Sequence, residues 1–272
     1  MDETELLGIR EFAEYIGVKQ SILRHYDDIG LFCPVYRREN GYRYYSPLQI
    51  TAFNMVSVLC DLKTALREIG VLQRSRTPET ILEHLEKQEE RFDAEMRRLQ
   101  ESYSISHMYR RMIKEAFSVD ESAVIEQHMP ETPIFIGPET RFEGTTRFFS
   151  DFIAFCRCAR EKGINLSYPV GAMFHNMNIF AQRPSMPNLF YSTDPRGAGK
   201  KEAGNYLVAY TRGYYGKVNN IAERIIEYAK KHNLCFEGPV YSLYLLDEVS
   251  VSDPDKYMAR ICVRVKKGKS TE

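Results

Sequence analysis

Basic, polar and aromatic side chains gather near the start of the chain in a pattern suited to nucleic acid. Arg24, His25 and Tyr26 follow one another, and further arginines lie among tyrosines soon afterwards. Guanidinium and tyrosine hydroxyl groups bind phosphate oxygens well. We therefore predict that the DNA contacts of this chain are made by Lys19, Gln20, Ser21, Arg24, His25, Tyr26, Arg37, Arg38, Tyr42, Arg43 and Tyr45.

Two short helices must position the first group of these residues. Apolar side chains follow the spacing of one helix face at Ile9, Phe12, Ala13 and Ile16. Gly17 breaks this helix, and a second helix is predicted from Lys19 to Ile29. Such a pair is typical of a helix-turn-helix, whose second helix lies in the DNA major groove. An ordinary helical hairpin has the same pattern.

A hairpin is predicted directly after the second helix. Gly30 suits the end of that helix, and Asn40–Gly41 favours a tight turn between β-prone residues. Arg37, Arg38 and Arg43 lie close to this turn. A helix-turn-helix followed by a basic β-hairpin is a winged helix. This arrangement favours a DNA-binding domain over an ordinary helical hairpin.

Several separated motifs of this region resemble the signature of MerR-type transcription regulators. They are Leu23–Arg24–His25–Tyr26–Asp27, Ile29–Gly30–Leu31, Pro34 and Asn40–Gly41–Tyr42–Arg43–Tyr44–Tyr45. His25 stands where the family usually has Tyr. The resemblance covers residues 6–75 and implies a regulator that binds double-stranded promoter DNA. It also implies activation by distorting an overlong promoter spacer so that RNA polymerase can engage both promoter elements.

Length and charge limit how the chain can bind DNA. Its 272 residues fit two domains and a connector. Net charge is zero, and residues 1–76 carry ten Lys and Arg against ten Asp and Glu. No bulk positive field therefore attracts DNA. Without a long apolar run, a signal-peptide pattern or a disulfide framework among the six cysteines, a cytoplasmic protein with no membrane partner is expected.

A long amphipathic helix is predicted to connect the two domains, over residues 77–118. Apolar residues recur with coiled-coil spacing at Leu85, Phe92, Met96, Leu99 and Tyr103, and the seam is extended by Met108, Tyr109, Met112 and Ile113. The pattern favours a homodimer, and in MerR-type proteins the corresponding helix pairs antiparallel with its twin. A charged helix that lies on its own domain is the alternative. A dimer would match a pseudo-palindromic operator.

Residues 119–272 have a mixed pattern of strands and helices that suggests two strand–helix–strand–strand units. Strands are predicted at Val124–Met129, Thr132–Gly137, Val170–Phe174, Asn188–Tyr191, Asn205–Arg212, Tyr241–Val249 and Tyr257–Val265, and helices at Gly144–Lys162 and Val218–His232. The pattern resembles the GyrI-like effector-binding domain through Asn205–Tyr210, Gly213–Gly216, Tyr241–Tyr244 and Tyr257–Val265. The whole chain is thus predicted to be α+β, with residues 1–76 as the DNA-binding domain.

A GyrI-like domain implies a pocket for a small, aromatic or drug-like molecule. The candidate ligand-binding residues are Phe149, Tyr206, Tyr210, Ser242, Tyr244, Glu248 and Arg260. Drug-binding relatives tend to carry acids where this chain has Ser242 and Arg260. By strand alternation Glu248 shares a face with Ser242, so it either replaces the missing charge or pairs with Arg260. The second option leaves a nearly neutral pocket that favours neutral aromatics over cations.

Metal and enzyme sites are not predicted. Cys156 and Cys158 point to different faces of a helix, and the segment Ile113–Ser122 contains no cysteine. Neither a Gly-rich phosphate loop nor a nucleophile elbow occurs. We therefore expect no cofactor and no enzymatic activity. Because GyrI-like domains have been linked to hydrolysis, weak hydrolysis of small esters is the alternative function.

Overall fold

The computed structural model describes residues 6–74, 77–141 and 148–268. The chain forms two compact units, Met1–Leu99 and Gln100–Glu272. The division falls inside one long helix, Pro78–Ser118. The predicted domains 1–76, 77–118 and 119–272 divide the chain by expected function, and their boundaries stay a prediction. Helices and strands both occur in quantity, as the α+β class requires.

The first unit is a small helical domain with a three-stranded sheet. Its elements are β1 (Leu7–Gly8), α1 (Ile9–Ile16), α2 (Gln20–Asp28), β2 (Tyr36–Arg37), β3 (Arg43–Tyr45), α3 (Gln49–Asp61), α4 (Leu66–Arg74) and the first part of α5 (Pro78–Ser118). The strand order is β1-β3-β2, and both pairings are antiparallel. This is the predicted winged helix-turn-helix.

Local sequence explains why these elements begin and end where they do. Gly17 ends α1 with a left-handed φ of 72°, where a Cβ would be strained. Gly41 adopts a φ of 82° in the turn between β2 and β3. Phe12, Leu23 and Tyr45 are buried in one apolar cluster, which holds α1, α2 and the wing together.

The second unit is built on an eight-stranded sheet. After the end of α5 come β4 (Val124–Met129), β5 (Thr132–Ile136), α6 (Phe148–Glu161), β6 (Val170–Phe174), α7 (Met177–Gln182), β7 (Leu189–Ser192), β8 (Gly199–Lys201), β9 (Gly204–Arg212), α8 (Ile221–Lys231), β10 (Leu234–Leu246) and β11 (Met258–Lys267). The strand order is β4-β9-β11-β10-β6-β7-β5-β8.

The two faces of this sheet differ in chemistry. One face is apolar and packs in a cluster with residues of α7 and α8, such as Phe180 and Ile225. The other carries tyrosines and packs with Met112 and Ala116 of α5. The prediction that Met112 extends an intermolecular seam is therefore wrong, because its side chain is buried within its own unit.

Several predicted elements of the second unit differ from those observed. The predicted strand Tyr241–Val249 is part of the longer β10, which starts at Leu234 and ends at Leu246. Neither α7, which lies between β6 and β7, nor β8 was predicted. The first residues of the predicted helix Gly144–Lys162 lie outside the described residues. None of the helices described here has the length and apolarity needed to cross a membrane.

Candidate functional site

The outer face of α2 presents polar side chains to solvent. Lys19, Ser21, Arg24 and His25 are exposed, whereas Leu23 points into the core. Arg24 makes only a long contact within the helix, from its guanidinium to Gln20 Oε1 at 3.4 Å. Since major-groove recognition needs free side chains on one helix face, this face is suited to read DNA.

The wing adds a second exposed group beside α2. Tyr42 is exposed at the turn, and the Arg38 guanidinium stacks over the Tyr44 ring at 4.8 Å from its centroid. The Arg38 amide donates to the Tyr42 carbonyl, which closes the turn. Arg38 and Tyr42 thus lie at the tip of the wing, where phosphate contacts are made in winged-helix proteins.

Two of the predicted DNA-binding arginines are engaged within the protein. Arg37 Nη2 and Arg43 Nε both donate to the carboxylate of Asp27, which is buried in α2. Burial raises the pKa of Asp27, but hydrogen bonds from Arg43 and Arg37 outweigh it, so the pKa lies below its ordinary value. Arg43 also binds Asp28 at 3.2 Å and is only 20% exposed. Arg43 thus fixes the wing to α2, and its predicted contact with DNA stays a prediction.

Tyr45 is not available to DNA. Its side chain is 0% exposed, and its ring stacks on Phe12 with centroids 4.5 Å apart. Among the residues that the structure describes, its hydroxyl has no hydrogen-bond partner. Burial raises its pKa to about 12. Tyr26 is half-buried, with its hydroxyl 3.5 Å from Cys60 Sγ. Tyr45 was predicted to contact DNA because it lies beside the basic hairpin, yet strand alternation turns it inward.

The apolar repeat of α5 is largely exposed. Leu99 is 60% exposed and Tyr103 71%, while Phe92 and Met96 are also exposed and Leu85 is half-buried. Large apolar side chains at this spacing along a helix face are the pattern of a contact with a second helix.

A tyrosine face lines the α5 side of the eight-stranded sheet; we define it as Tyr191, Tyr206, Tyr210 and Tyr241 with Cys262 in the middle. All five are buried. The ring centroids of Tyr191 and Tyr241 are 5.6 Å apart in an edge-to-face arrangement. Burial raises the pKa of Tyr206 to about 12. Packed rings of this kind provide stacking surface for an aromatic molecule.

Glu115 of α5 binds the tyrosine face through an ion pair. Arg260 Nη1 donates to both Glu115 oxygens at 2.9 Å, and the Tyr210 hydroxyl donates to Glu115 Oε1 at 2.9 Å. Burial, followed by the charge of Glu115, raises the pKa of Tyr210 above its ordinary range. Arg260 Nε is buried without a hydrogen-bond partner. Glu115 was assigned to the connector, so its role was missed from sequence.

The predicted pairing of Glu248 with Arg260 is wrong. Arg260 lies opposite Leu243 and Tyr210, so it shares the tyrosine face, whereas Tyr244 lies opposite Ala259 on the other face. Ser242, opposite Ile261, also faces away from Arg260.

Glu248 and Phe149 lie apart from the tyrosine face. Glu248 follows the end of β10 and accepts a hydrogen bond from the Tyr215 hydroxyl at 2.6 Å. Phe149 on α6 is 67% exposed. Of the predicted ligand-binding residues, Tyr206, Tyr210 and Arg260 share the tyrosine face. Tyr244 and Glu248 are also brought together, because both contact Tyr215.

Among the described residues no group of three or more His, Cys, Asp or Glu side chains is arranged to hold a metal ion. The six cysteines are free thiols. A shallow open depression of about 260 Å³ lies beside α8, lined by Ser122, Val124, Arg224, Glu227, Tyr228 and Lys231. Its lining is polar and solvent-exposed in part, unlike the tyrosine face.

Comparisons with known proteins agree with this geometry. Residues 7–75 match the family described as MerR HTH family regulatory protein. The chain is 27% identical over 261 residues to the multidrug-efflux transporter 2 regulator of Bacillus subtilis, covering 94% of this chain and 95% of that protein. It is 40% identical over 70 residues to the transcriptional regulator BrlR of Pseudomonas aeruginosa, covering 25% and 26% of the two chains.

A solved structure of an EcmrR–DNA complex, determined by cryo-EM in EcmrR-RPo, is also similar. It is 18% identical and covers 96% of this chain and 100% of its own, with a TM-score of 0.37. Residues 7–75 therefore form a domain that matches the MerR HTH family, and nearly the whole chain is similar in sequence to a multidrug-efflux transporter regulator.

Proposed function

We propose that this regulator binds a pseudo-palindromic promoter operator as a homodimer and activates transcription in response to a small aromatic molecule. The observation that carries the proposal is the exposed face of α2, with Arg24 and His25, beside a basic wing. In a helix-turn-helix this face enters the major groove, and the wing contacts the backbone. The proposed contacts are Lys19, Gln20, Ser21, Arg24, His25, Arg38 and Tyr42, with Tyr26 and Arg37 at the margin.

Dimerisation is supported by the exposed repeat on α5. A single winged domain reads one half-site, and net charge near zero gives it little nonspecific affinity. A second copy that covers Phe92, Met96 and Leu99 would remove their apolar surface from water and double the number of DNA contacts. We propose that the helices pair antiparallel, as in the family.

Activation is proposed to follow the family mechanism. Two recognition helices held at a fixed separation can deform the DNA between them, and such deformation changes how other proteins use a promoter. A distorted spacer would let RNA polymerase engage both promoter elements. RNA polymerase is therefore a proposed partner of the DNA-bound dimer.

Ligand sensing is proposed for the second unit. The tyrosine face offers stacking surface, and the pair of Glu115 and Arg260 joins it to α5. A ligand that changes this pair acts on the helix that carries the proposed dimer contact. The similarity to a multidrug-efflux transporter regulator supports a drug-like molecule. We do not favour the hydrolase alternative, because the similarity over nearly the whole chain is to a regulator.

The DNA-binding proposal is tested by selection from a pool of random DNA duplexes with the full-length protein. We expect the enriched sequences to share a motif whose two halves are related by a two-fold axis. Enrichment of a single unrepeated motif would contradict the dimeric proposal, and enrichment of no motif would contradict sequence-specific binding. An Arg24→Ala protein run in parallel serves as the control and is expected to enrich the motif poorly.

A further inference from the structure

We infer that the tyrosine face binds aromatic anions, with Lys201 as the side chain that pairs with their negative charge. The inference rests on the proposed ligand-sensing role of the second unit and gives its ligand a chemical class. It was not expected from sequence, where Lys201 had no role and the pocket was expected to be nearly neutral.

Lys201 reaches across the tyrosine face from a distant strand. It lies on β8, the terminal strand of the sheet, yet its Nζ is 2.9 Å from the sulfur of Cys262 on the central strand β11. The same Nζ lies 4.7 Å from the ring centroid of Tyr206 and 5.0 Å from that of Tyr241. The sheet must therefore curl so that β8 comes over the tyrosines.

The same ammonium group also lies 3.3 Å from the sulfur of Met129. Within the described ranges no carboxylate lies within 4.0 Å of Lys201 Nζ, although most other charged groups near the sheet are paired. Arg264 lies 3.8 Å from Glu237, and Lys200 lies 3.5 Å from Glu202. A partly buried cation without a counter-ion is costly and attracts an anion.

The charge balance of the tyrosine face is therefore positive. Arg260 and Lys201 contribute two cations, and Glu115 contributes one carboxylate. Arg264 and Glu202, whose charges also act on Tyr206 and Tyr241, offset each other. Both Glu115 oxygens are already bound by Arg260, so this carboxylate is not free to serve as a counter-ion for a ligand. A ligand with one negative charge would bring the cluster to neutrality, whereas a cationic ligand would raise its charge further.

Lys201 also occupies the position over the rings of Tyr206 and Tyr241 that favours a cation. An ammonium group over the faces of two tyrosines is the arrangement by which proteins recognise quaternary ammonium ligands. Here the protein supplies that cation itself. An organic cation would have to expel Lys201 and then meet Arg260, while an anion can bind Lys201 where it stands.

Aromatic character follows from the surface beneath the ammonium group. Tyr206, Tyr210 and Tyr241 are almost fully buried, in a cluster that includes Met112 of α5. A planar ring gains stacking contacts with these tyrosines if the side chains that cover them move aside. Lys201 itself is half-buried and lies at the border of this surface. An aromatic carboxylate could thus place its charge at Lys201 and its ring against the tyrosines.

Calorimetric titration with three probes of similar shape tests the inference: 2-naphthoate, 2-naphthamide and 2-naphthyltrimethylammonium. We expect the full-length protein to bind 2-naphthoate about tenfold or more tighter than 2-naphthamide, and the cation weakest of all. Lys201→Met should lose that preference for the anion. Lys200→Met is the matched control, because it removes the same charge from the adjacent, exposed residue and should behave as the wild type.

Three results would overturn the inference: equal or tighter binding of the cation by the wild type, unchanged 2-naphthoate affinity in Lys201→Met, or no binding of any probe. Lys201→Arg keeps the charge and should keep the preference for the anion. This variant distinguishes an effect of the lost charge from misfolding of Lys201→Met. DNA binding is measured on the same samples. If the wild type binds DNA but shows no preference for 2-naphthoate, only the proposed ligand class is rejected. If the wild type does not bind DNA, the proposed function as a regulator is rejected.

Discussion

At the scale of single residues, the DNA-binding unit contains two kinds of arginine. Arg24 and Arg38 face solvent, whereas Arg43 is held by the buried carboxylate of Asp27. The sequence places Arg24 on the second helix and Arg38 and Arg43 near the hairpin turn, and it gives no sign of this difference. Asp27 decides it, because a buried carboxylate must be paired and the nearest cations are those of the wing.

Arg24→Ala is predicted to leave the fold intact and weaken DNA binding. The guanidinium is exposed and its contact with Gln20 is long, so its loss costs little stability. If it contacts a phosphate, the slope of log affinity against log salt should decrease by about 1. Fluorescence anisotropy over a range of salt concentrations measures both effects. Arg10→Ala, on the exposed side of α1, is the control and should change neither.

Arg43→Ala is predicted to act on stability instead. Removal of one of the two partners of Asp27 leaves a buried carboxylate incompletely paired, which costs roughly 1–3 kcal/mol of unfolding free energy. Chemical denaturation, followed through the unfolding transition of the first unit, measures this cost. An unchanged stability with a reduced salt slope would show that Arg43 contacts DNA after all.

Tyr45→Phe is predicted to keep wild-type DNA affinity and to stabilise the protein slightly. The hydroxyl is buried without a partner, and its removal relieves a desolvation cost of about 1 kcal/mol. The ring stacking on Phe12 is retained. A rise in the denaturation midpoint with unchanged anisotropy is the expected outcome. Loss of DNA affinity would restore Tyr45 to the interface.

At the scale of elements, α5 combines two environments along one helix. From Phe92 to Tyr103 its apolar repeat is exposed, and farther along Met112 and Glu115 pack on the sheet of the second unit. The seven-residue spacing predicted the helix and its apolar face. The spacing could not show that one part of this apolar face is exposed and another part packs on the sheet. A buried intramolecular contact and a coiled coil require the same kinds of residues at the same spacing.

The exposed part of this repeat gives a direct prediction. Met96→Asp combined with Leu99→Asp should convert the protein to monomers without unfolding it, because a dimer would bury both carboxylates in an apolar seam. Light scattering coupled to gel filtration measures the mass. Ala94→Asp, on the opposite side of the helix, is the control and should remain dimeric. A dimeric double variant would locate the contact elsewhere.

Strand register was the least predictable part of the second unit. Most strands were located from alternation, but the face of Arg260 relative to Ser242 was assigned wrongly. The register between β10 and β11 pairs Ser242 with Ile261 and Leu243 with Arg260, so Arg260 and Ser242 lie on opposite faces. A register shift also falls between Tyr244 and Leu246. Alternation cannot reveal such an irregularity, and an error of one residue reverses every face. Lys201 was missed for a different reason: its contact depends on curling of the sheet.

At the scale of the whole molecule, the sequence motifs and the folded domains give one consistent account. The MerR-type winged domain was identified from separated motifs, because special turns and capped helices require particular residues. The second unit was identified more loosely, because its pattern rests on strand alternation alone. On our proposal, specific DNA binding by this neutral chain depends on the pairing of two exposed recognition surfaces more than on net charge.

The most direct test of this account is the binding of the full-length protein to the selected duplex with both half-sites, compared with the same duplex after one half-site is scrambled. We predict two chains per intact duplex, by sedimentation of the complex, and at least about 100-fold weaker binding to the scrambled duplex, as expected when one of two linked contacts is lost. Equal affinity for both duplexes, or one chain per intact duplex, would contradict the account.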